Sequence, residues 1–229
     1  MCKLIFTESK INLITLKTTK FTVNPFSMNC YIYYDEISKD AVIIDPGAFT
    51  ESEKNEILKF VDDHKLNIIK IINTHGHIDH VLGNSFAKEA FHKPICMNED
   101  DIFLLEGSRD QARFFGLEIP TLPGIDQYIN EGDFITVGSA KLKVVKTPGH
   151  SPGSVCLIDD TNKIVFCGDL IFHNSVGRTD IPGGNYKVLM NSIKDKLFSN
   201  TKDDYVIYPG HMDESTIGKE KHYNPFLIS

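Results

Sequence analysis

Between Thr74 and His80 the chain reads Thr-His-Gly-His-Ile-Asp-His, so three imidazoles and one carboxylate fall within a few residues. Histidine and carboxylate are the side chains that suit zinc and, in related combinations, iron or manganese. On a helix, His75, His77 and Asp79 would point to different faces, because side-chain neighbours recur every three or four residues. A loop that leaves a strand can turn all of them toward one centre. The apolar run 68–72 directly precedes them and supplies that strand.

Three later segments repeat the pattern. Residues 142–146 lead into Thr147-Pro148-Gly149-His150, residues 163–166 into Cys167-Gly168-Asp169, and residues 205–208 into Pro209-Gly210-His211. Each is a short β-branched or aromatic run, then a Gly or Pro-Gly break, then a side chain able to bind metal. Proline and glycine end the strand and allow the sharp turn that presents the next residue. A single histidine after Pro-Gly is ordinarily a turn residue; the recurrence makes the case. Strand ends on one sheet edge would gather His75, His77, Asp79, His80, His150, Asp169 and His211 around two metal ions.

The elements that must position these residues follow from periodicity. Residues 11–23 and 29–34 read as strands, and a polar turn at 36–40 leads into a strand over 41–44. Asp45-Pro46-Gly47 closes that strand; Asp45 could bind metal or support a ligand, but a turn carboxylate is the commoner outcome and it is not counted among the metal-binding residues. Thr50 and Glu53 form a capping box that opens a helix with Ile57, Leu58, Phe60 and Val61 on its packing face. Residues 81–91 read as a helix beginning at the site, 93–97 as a short strand, and Asn98 as the cap of a helix over 99–106. Residues 107–130 read as helix then irregular connection, with Phe114 and Phe115 assigned to the core in preference to a substrate mouth. Strands at 132–135 and 141–146 precede a hairpin, 155–158 with 164–166. A loop over 170–184 has the length of a functional one, and 186–197 is amphipathic and helical.

Bulk properties bound the function. With 229 residues, 41% hydrophobic and 24% charged, the composition is that of a globular protein. No stretch approaches the roughly 18 apolar residues that span a bilayer. Residues 1–8 break off too early for a signal-peptide core, so a cytoplasmic location is expected. Five scattered cysteines without a CxxC pair fit a reducing compartment, and Cys167 reads as a small buried hydrophobe. A net charge of −7 disfavours a nucleic-acid surface. No linker or low-complexity block divides the chain. Both halves supply metal-binding residues, so residues 1–229 are expected to form one folded unit.

The HxHxDH run with His150, Asp169 and His211 resembles the ligand pattern of the metallo-β-lactamase fold superfamily. Asp45-Pro46-Gly47, Gly168-Asp169-Leu170, Gly177-Arg178-Thr179-Asp180, Pro182-Gly183-Gly184, Thr216-Ile217-Gly218 with Glu220, and Asn224-Pro225-Phe226-Leu227 resemble its glyoxalase II branch. The likeness runs from about residue 29 to the end of the chain. It implies an α/β (α+β) fold, a four-layer αββα sandwich with the site along one edge of the paired sheets. It also implies two divalent ions, zinc first, with iron or manganese as alternatives. His75, His77 and His150 would hold one, Asp79, His80 and His211 the other, and Asp169 would bridge them. Asp79 and Asp169 are the implied catalytic carboxylates.

The implied reaction is hydrolysis of a small-molecule thioester, of the S-2-hydroxyacylglutathione type, by a hydroxide between the metals. Longer members of that branch carry a helical C-terminal segment with basic residues that grip glutathione. This chain stops at Ser229, so a looser thioesterase is also expected. The alternative is a persulfide dioxygenase, with a single iron at His75, His150 and Asp169. A third class, a metal-held binding module, is opposed by the presence of all seven donors. Arg178 and Tyr186 are the candidate substrate contacts, although Arg178 equally suits a brace of the 170–184 loop through Asp180. Oligomeric state is not readable from the sequence.

Overall fold

The computed structural model describes residues 15–228. The start of the first expected strand (11–14), Cys2 and the N-terminal stretch weighed as a signal peptide lie outside the described residues. Six strands make the first sheet in chain order: β1 Leu16–Val23, β2 Met28–Asp35, β3 Asp40–Ile44, β4 Asn67–Ile72, β5 Ile95–Met97 and β6 Gln127–Tyr128. β1 to β3 form an antiparallel meander, whereas β3 to β6 pair in parallel. Parallel neighbours require a crossover. α1 (Glu51–Asp63) supplies the first, and α2 (Ile78–Val81) with α3 (Asn84–Phe91) the second. Thr50 and Glu53 form the expected capping box of α1.

The second sheet contains β7 Phe134–Val137, β8 Ala140–Lys146, β9 Val155–Asp159 and β10 Ile164–Gly168. A two-stranded ribbon, β11 Ile171–Phe172 with β12 Ser175–Val176, stands apart from it. The sheet is completed by β13 Val206–Pro209, parallel to β10, and β14 Ser215–Thr216.

Strand periodicity explains the layering. Side chains alternate across a strand, so Tyr31, Tyr33, Val42 and Ile44 of the first sheet meet Leu142, Val144, Leu157 and Phe166 of the second. Their neighbours Cys30, Ile32, Ala41 and Ile43 face outward onto Ile57 and Phe60 of α1 and Ala87 of α3. On the other side Val145, Cys156, Val165 and Cys167 face Leu189, Ile193 and Leu197. Strands buried on both faces are apolar nearly throughout, as seen in Ile68–Ile72 and Ile164–Cys167. Each large side chain so buried contributes about 1.5–3 kcal/mol. The fold is the expected αββα sandwich.

Polar ties cross between the sheets. The Asp35 carboxylate accepts from the Ser139 backbone N–H and hydroxyl at 2.9 and 2.8 Å. The Tyr31 hydroxyl donates to the Pro209 carbonyl at 2.7 Å. Asn29 donates through its side chain to the carbonyls of Pro209 (3.1 Å) and Met212 (2.8 Å).

Three expectations are corrected. The helix read over 81–91 is broken at Gly83, where a Cβ would stand 2.9 Å from the Ala48 backbone nitrogen. The helix read to residue 197 runs further: α6 (Tyr186–Asn191), a π-helical turn (Ser192–Leu197) and α7 (Phe198–Asn200) follow without interruption. Phe114 and Phe115 are not core residues but 84% and 49% exposed. They close α5 (Ser108–Phe114), which follows the short helix α4 (Ile102–Glu106), and Phe115 packs on Phe26 with ring centroids 4.9 Å apart. The last helix, α8 (Ile217–Tyr223), packs Ile217 on the second sheet. Among the described residues no helix is long and apolar enough to cross a membrane.

Candidate metal centre

The HxHxDH segment leaves β4 and enters α2. His77 is the residue that caps α2, so His75 and His77 precede the helix while Asp79 and His80 lie in its single turn. The pure loop expected for this segment is therefore a loop running into one helical turn. Asp45 fixes its start. Standing just past the neighbouring parallel strand β3 with φ +50°, Asp45 accepts from the Thr74 backbone N–H and hydroxyl, both at 2.7 Å. Asn24 fixes its end by donating to the carbonyls of Asp79 (2.9 Å) and Gly47 (3.0 Å).

The second half contributes three turns. Gly149, at φ +138°, opens the turn that carries His150. Gly168, at φ +49°, delivers Asp169 past the end of β10, and Gly210 N–H bonds to the Gly168 carbonyl at 2.9 Å. His211 follows β13 and forms an isolated bridge with Met28, while Asn29 N–H bonds to the Gly210 carbonyl at 2.7 Å. The first sheet thus holds a residue that the second sheet presents.

The donor atoms converge. His75, His77 and His150 form one cluster, His75, His80 and Asp169 another, and Asp79, His80 and His211 a third, each with its atoms within 4.8 Å of one another. His77 Nδ1 lies 2.8 Å from His150 Nε2. His211 Nε2 is 3.0 Å from Asp79 Oδ2 and 3.6 Å from Asp169 Oδ2. His80 Nε2 is 3.3 Å from Asp169 Oδ1 and 3.5 Å from Asp79 Oδ2. His150 Nε2 is 3.5 Å from Asp169 Oδ2. All seven residues named from the sequence are brought together.

The donors have the character of a cation site. His75 Nε2, His77 Nε2, both ring nitrogens of His80 and Asp169 Oδ1 are buried without a hydrogen-bond partner. Buried polar atoms are ordinarily satisfied, and the orphaned His80 Nε2 and Asp169 Oδ1, 3.3 Å apart, stand as two ligands of a cation would. His150 Nδ1 lies 2.8 Å from the Arg178 carbonyl, which can only accept, so Nδ1 carries the hydrogen and Nε2 turns its lone pair inward. Asp45 Oδ2 lies 3.0 Å from His80 Nδ1, off the line of a well-formed hydrogen bond, and favours the same orientation there.

Electrostatics agree. Burial, reinforced by the neighbouring imidazoles, pushes His75 well below the ordinary histidine range, and burial with His150 brings His77 down to about 3. These rings are neutral at pH 7, the state that ligates. Burial opposes charge on His80, but Asp79, Asp169 and Asp45 outweigh it and raise its pKa. Burial likewise opposes charge on His211, yet its bond to Asp79 raises its pKa. Burial would raise Asp79 and Asp169, yet the His80 charge holds both below the usual carboxylate range. Among the described residues, no ion pair of Asp45, Asp79 or Asp169 involves lysine or arginine. A buried site this rich in carboxylate calls for cations.

Other site residues fall differently. Arg178 turns its guanidinium onto Asp180 in a bidentate pair, both bonds at 2.8 Å, with both side chains exposed. Tyr186 opens α6, half-exposed. Neither side chain hydrogen-bonds to any of the seven donors among the described residues. Two clefts of about 290 and 270 Å³ lie beside α5 and share Arg109, and none of the seven donors lines them. Cys167 is the buried small hydrophobe expected.

Two carboxylates were missed by sequence reasoning. Asp45, read as a turn residue, is 2% exposed and orients the ligand loop. Its place at a strand end before Pro-Gly was the available signal. Asp101 lay inside the stretch read as a capped helix. Asn98 does cap the 3-10 turn Glu99–Asp101, accepting from Asp100 N–H at 3.3 Å, but Asp101 itself is fully buried against the site loops. Burial raises its pKa, against three hydrogen bonds that lower it.

The comparisons with known proteins agree with this geometry. Hydroxyacylglutathione hydrolase GloC of Haemophilus influenzae is 37% identical over 214 residues, covering 90% of this chain and 96% of that protein. The crystal structure of BLEG-1 B3 metallo-beta-lactamase superposes with a TM-score of 0.83 at 29% identity, over 93% of this chain and all of that one. TTHA1623 in a di-iron-bound form gives a TM-score of 0.80 at 35% identity, over 91% of this chain and all of that one. Residues 23–211 match the family model of the metallo-beta-lactamase superfamily, and the chain belongs to that superfamily.

Proposed function

We propose that the protein is a metal-dependent hydrolase that cleaves a thioester of the S-2-hydroxyacylglutathione type. The observation that carries this reading is the seven-donor cluster with its orphaned buried atoms. The 37% identity to a hydroxyacylglutathione hydrolase along nearly the whole chain supports the substrate class. In this reading His75, His77 and His150 hold one divalent ion, Asp79, His80 and His211 hold the other, and Asp169 reaches both. Zinc suits the nitrogen and oxygen donors, and iron or manganese would accept the same set.

Such ions supply a hydroxide near neutral pH and polarise a carbonyl. The chain's own residues do the rest. Arg178 O and Asp45 hold His150 and His80 with their Nε2 atoms inward. Asp79, whose Oδ2 lies 3.0 Å from His211 Nε2 and 3.5 Å from His80 Nε2 among the donors for that ion, would orient the attacking oxygen. A thiol leaves readily as thiolate, with an ordinary pKa of about 8.5, so no strong general acid is required. Arg178 and Tyr186 stand as the substrate contacts of this proposal, and Arg178 must leave Asp180 to reach a substrate carboxylate.

A second reading, a persulfide dioxygenase with one iron at His75, His150 and Asp169, draws on the iron held by TTHA1623, although the two ions of that protein match the two-metal cage equally. Metal analysis of protein purified without added metal, with a thioester panel, separates the two. Two ions and turnover of S-lactoylglutathione support the hydrolase. One iron with oxygen uptake on glutathione persulfide, and no thioester turnover, replaces it. The buried free thiols Cys30, Cys96, Cys156 and Cys167 support a reducing, cytoplasmic setting. A site shared by both halves supports one domain.

A further inference from the structure

The Asp101 carboxylate has three partners. Its Oδ2 accepts from Gly76 N–H at 2.9 Å and from the Ser151 hydroxyl at 2.6 Å, and its Oδ1 accepts from Gly153 N–H at 2.6 Å. Gly76 stands between His75 and His77, and Ser151 follows His150. One side chain therefore clamps a loop from each sheet. None of its bonds is local; the partners lie 25, 50 and 52 residues away.

The approach is close enough to require glycine. A Cβ at residue 76 would stand 2.8 Å from the Asp101 carbonyl oxygen, and one at residue 153 would stand 2.6 Å from Asp101 Cγ. A fully buried carboxylate that pairs with no lysine or arginine among the described residues is costly to keep. Asp159, as deeply buried, makes a useful contrast: its Oδ1 accepts from the Thr161 and Asn162 N–H groups two and three residues along and its Oδ2 from the Tyr33 hydroxyl, and it hydrogen-bonds to neither ligand loop.

We infer that Asp101 is a positioning residue that sets the spacing of His75, His77 and His150, while Asp45 serves His80 in the other half of the cage. The gap it governs is that between His77 Nδ1 and His150 Nε2, one from each clamped loop. Metal–ligand distances tolerate only about 0.2 Å of error, so loosening this clamp weakens one ion and spares the other. The inference rests on the metal cage and not on the choice of substrate.

The test uses Asp101→Asn, in which an amide N–H₂ must face a backbone or hydroxyl donor. The wild type and the variant are loaded with zinc alone and titrated with a chromophoric chelator; cobalt(II) spectra of each then report which site is filled. The expected result is loss of affinity for one ion by about 10–100-fold, with the second unchanged and the wild type holding two. Asp159→Asn is expected to lose stability with both affinities intact. Ser151→Ala, which removes one of the three bonds, is expected to weaken the same ion to a lesser degree, and it decides the matter if Asp101→Asn does not fold. Equal weakening of both ions, affinities at wild-type values, or the same selective loss in Asp159→Asn would overturn the inference. A wild type that binds no pair of ions would instead count against the cage.

Discussion

His77 Nδ1 and His150 Nε2 face each other at 2.8 Å although 73 residues separate them. Two ring nitrogens at that distance either share a proton or together face a cation. Burial keeps His77 from a second proton, since its pKa falls to about 3, so the pair is either one neutral N–H···N bond or two lone pairs facing a cation, and the orphaned His80 Nε2 and Asp169 Oδ1 beside it favour the cation. Replacing either ring by alanine is expected to reduce bound metal and to lower kcat/KM by about 100-fold or more. Metal analysis beside steady-state kinetics checks this, and wild-type turnover in either variant would remove these rings from the site.

Asp45→Asn keeps the shape of the side chain but removes the charge that faces His80 and one acceptor for Thr74. The expected outcome is a loss of metal affinity or activity of about 10–100-fold with the fold preserved. Chelator competition and circular dichroism measure the two separately. Unchanged affinity would reduce Asp45 to the turn carboxylate that the sequence suggested.

Gly210 leaves room for the centre. A Cβ there would stand 2.7 Å from His80 Cε1 and would also press on Asp169 Oδ1. Gly210→Ala is expected to abolish stoichiometric metal binding while costing about 1–3 kcal/mol of stability through overpacking. Denaturant unfolding with metal analysis tests both parts, and a variant that binds metal like wild type would contradict this geometry.

Asp35 gives stability a pH dependence. Burial works against its ionisation, but the Ser139 and Ile37 N–H groups and the Ser139 hydroxyl hold its pKa at about 2, below the ordinary 3.8. The folded state therefore binds this proton less readily than the unfolded chain. Its stabilising contribution is complete above about pH 4 and fades as the pH falls toward about 2. Asp35→Asn should be less stable than wild type by about 1–3 kcal/mol at pH 7, with the difference shrinking across that window. Urea unfolding at a series of pH values measures it; parallel curves would refute the assignment.

Much of the site was legible because its logic is local. His75, His150, Asp169 and His211 each follow a strand and a glycine- or proline-bearing break or a polar Asn-Thr step, and such signals lie within a few residues of the ligand. The strands β2, β3, β9 and β10 were legible in the same way. Asp101 was not, because each of its partners lies at least 25 residues off. Asp45 was half legible: its Pro-Gly sequel marks a strand end, but its left-handed φ and its grip on Thr74 are tertiary facts. Phe114 and Phe115 misled for a related reason. Hydrophobicity argues for burial, whereas at the end of α5 the two rings pack on each other and Phe115 on Phe26, and both stay exposed.

The ties from Asn29 and Tyr31 to Pro209, and from Asp35 to Ser139, run between the sheets without touching a metal-binding side chain. The sandwich is therefore fastened independently of any ion, unlike a zinc finger, which falls apart once stripped. Dialysis against a chelator should leave the far-ultraviolet dichroism in place, and refilling should need no refolding. Different ions could then come and go through the life of one molecule, so metal supply, rather than the polypeptide alone, would decide which chemistry a given copy performs.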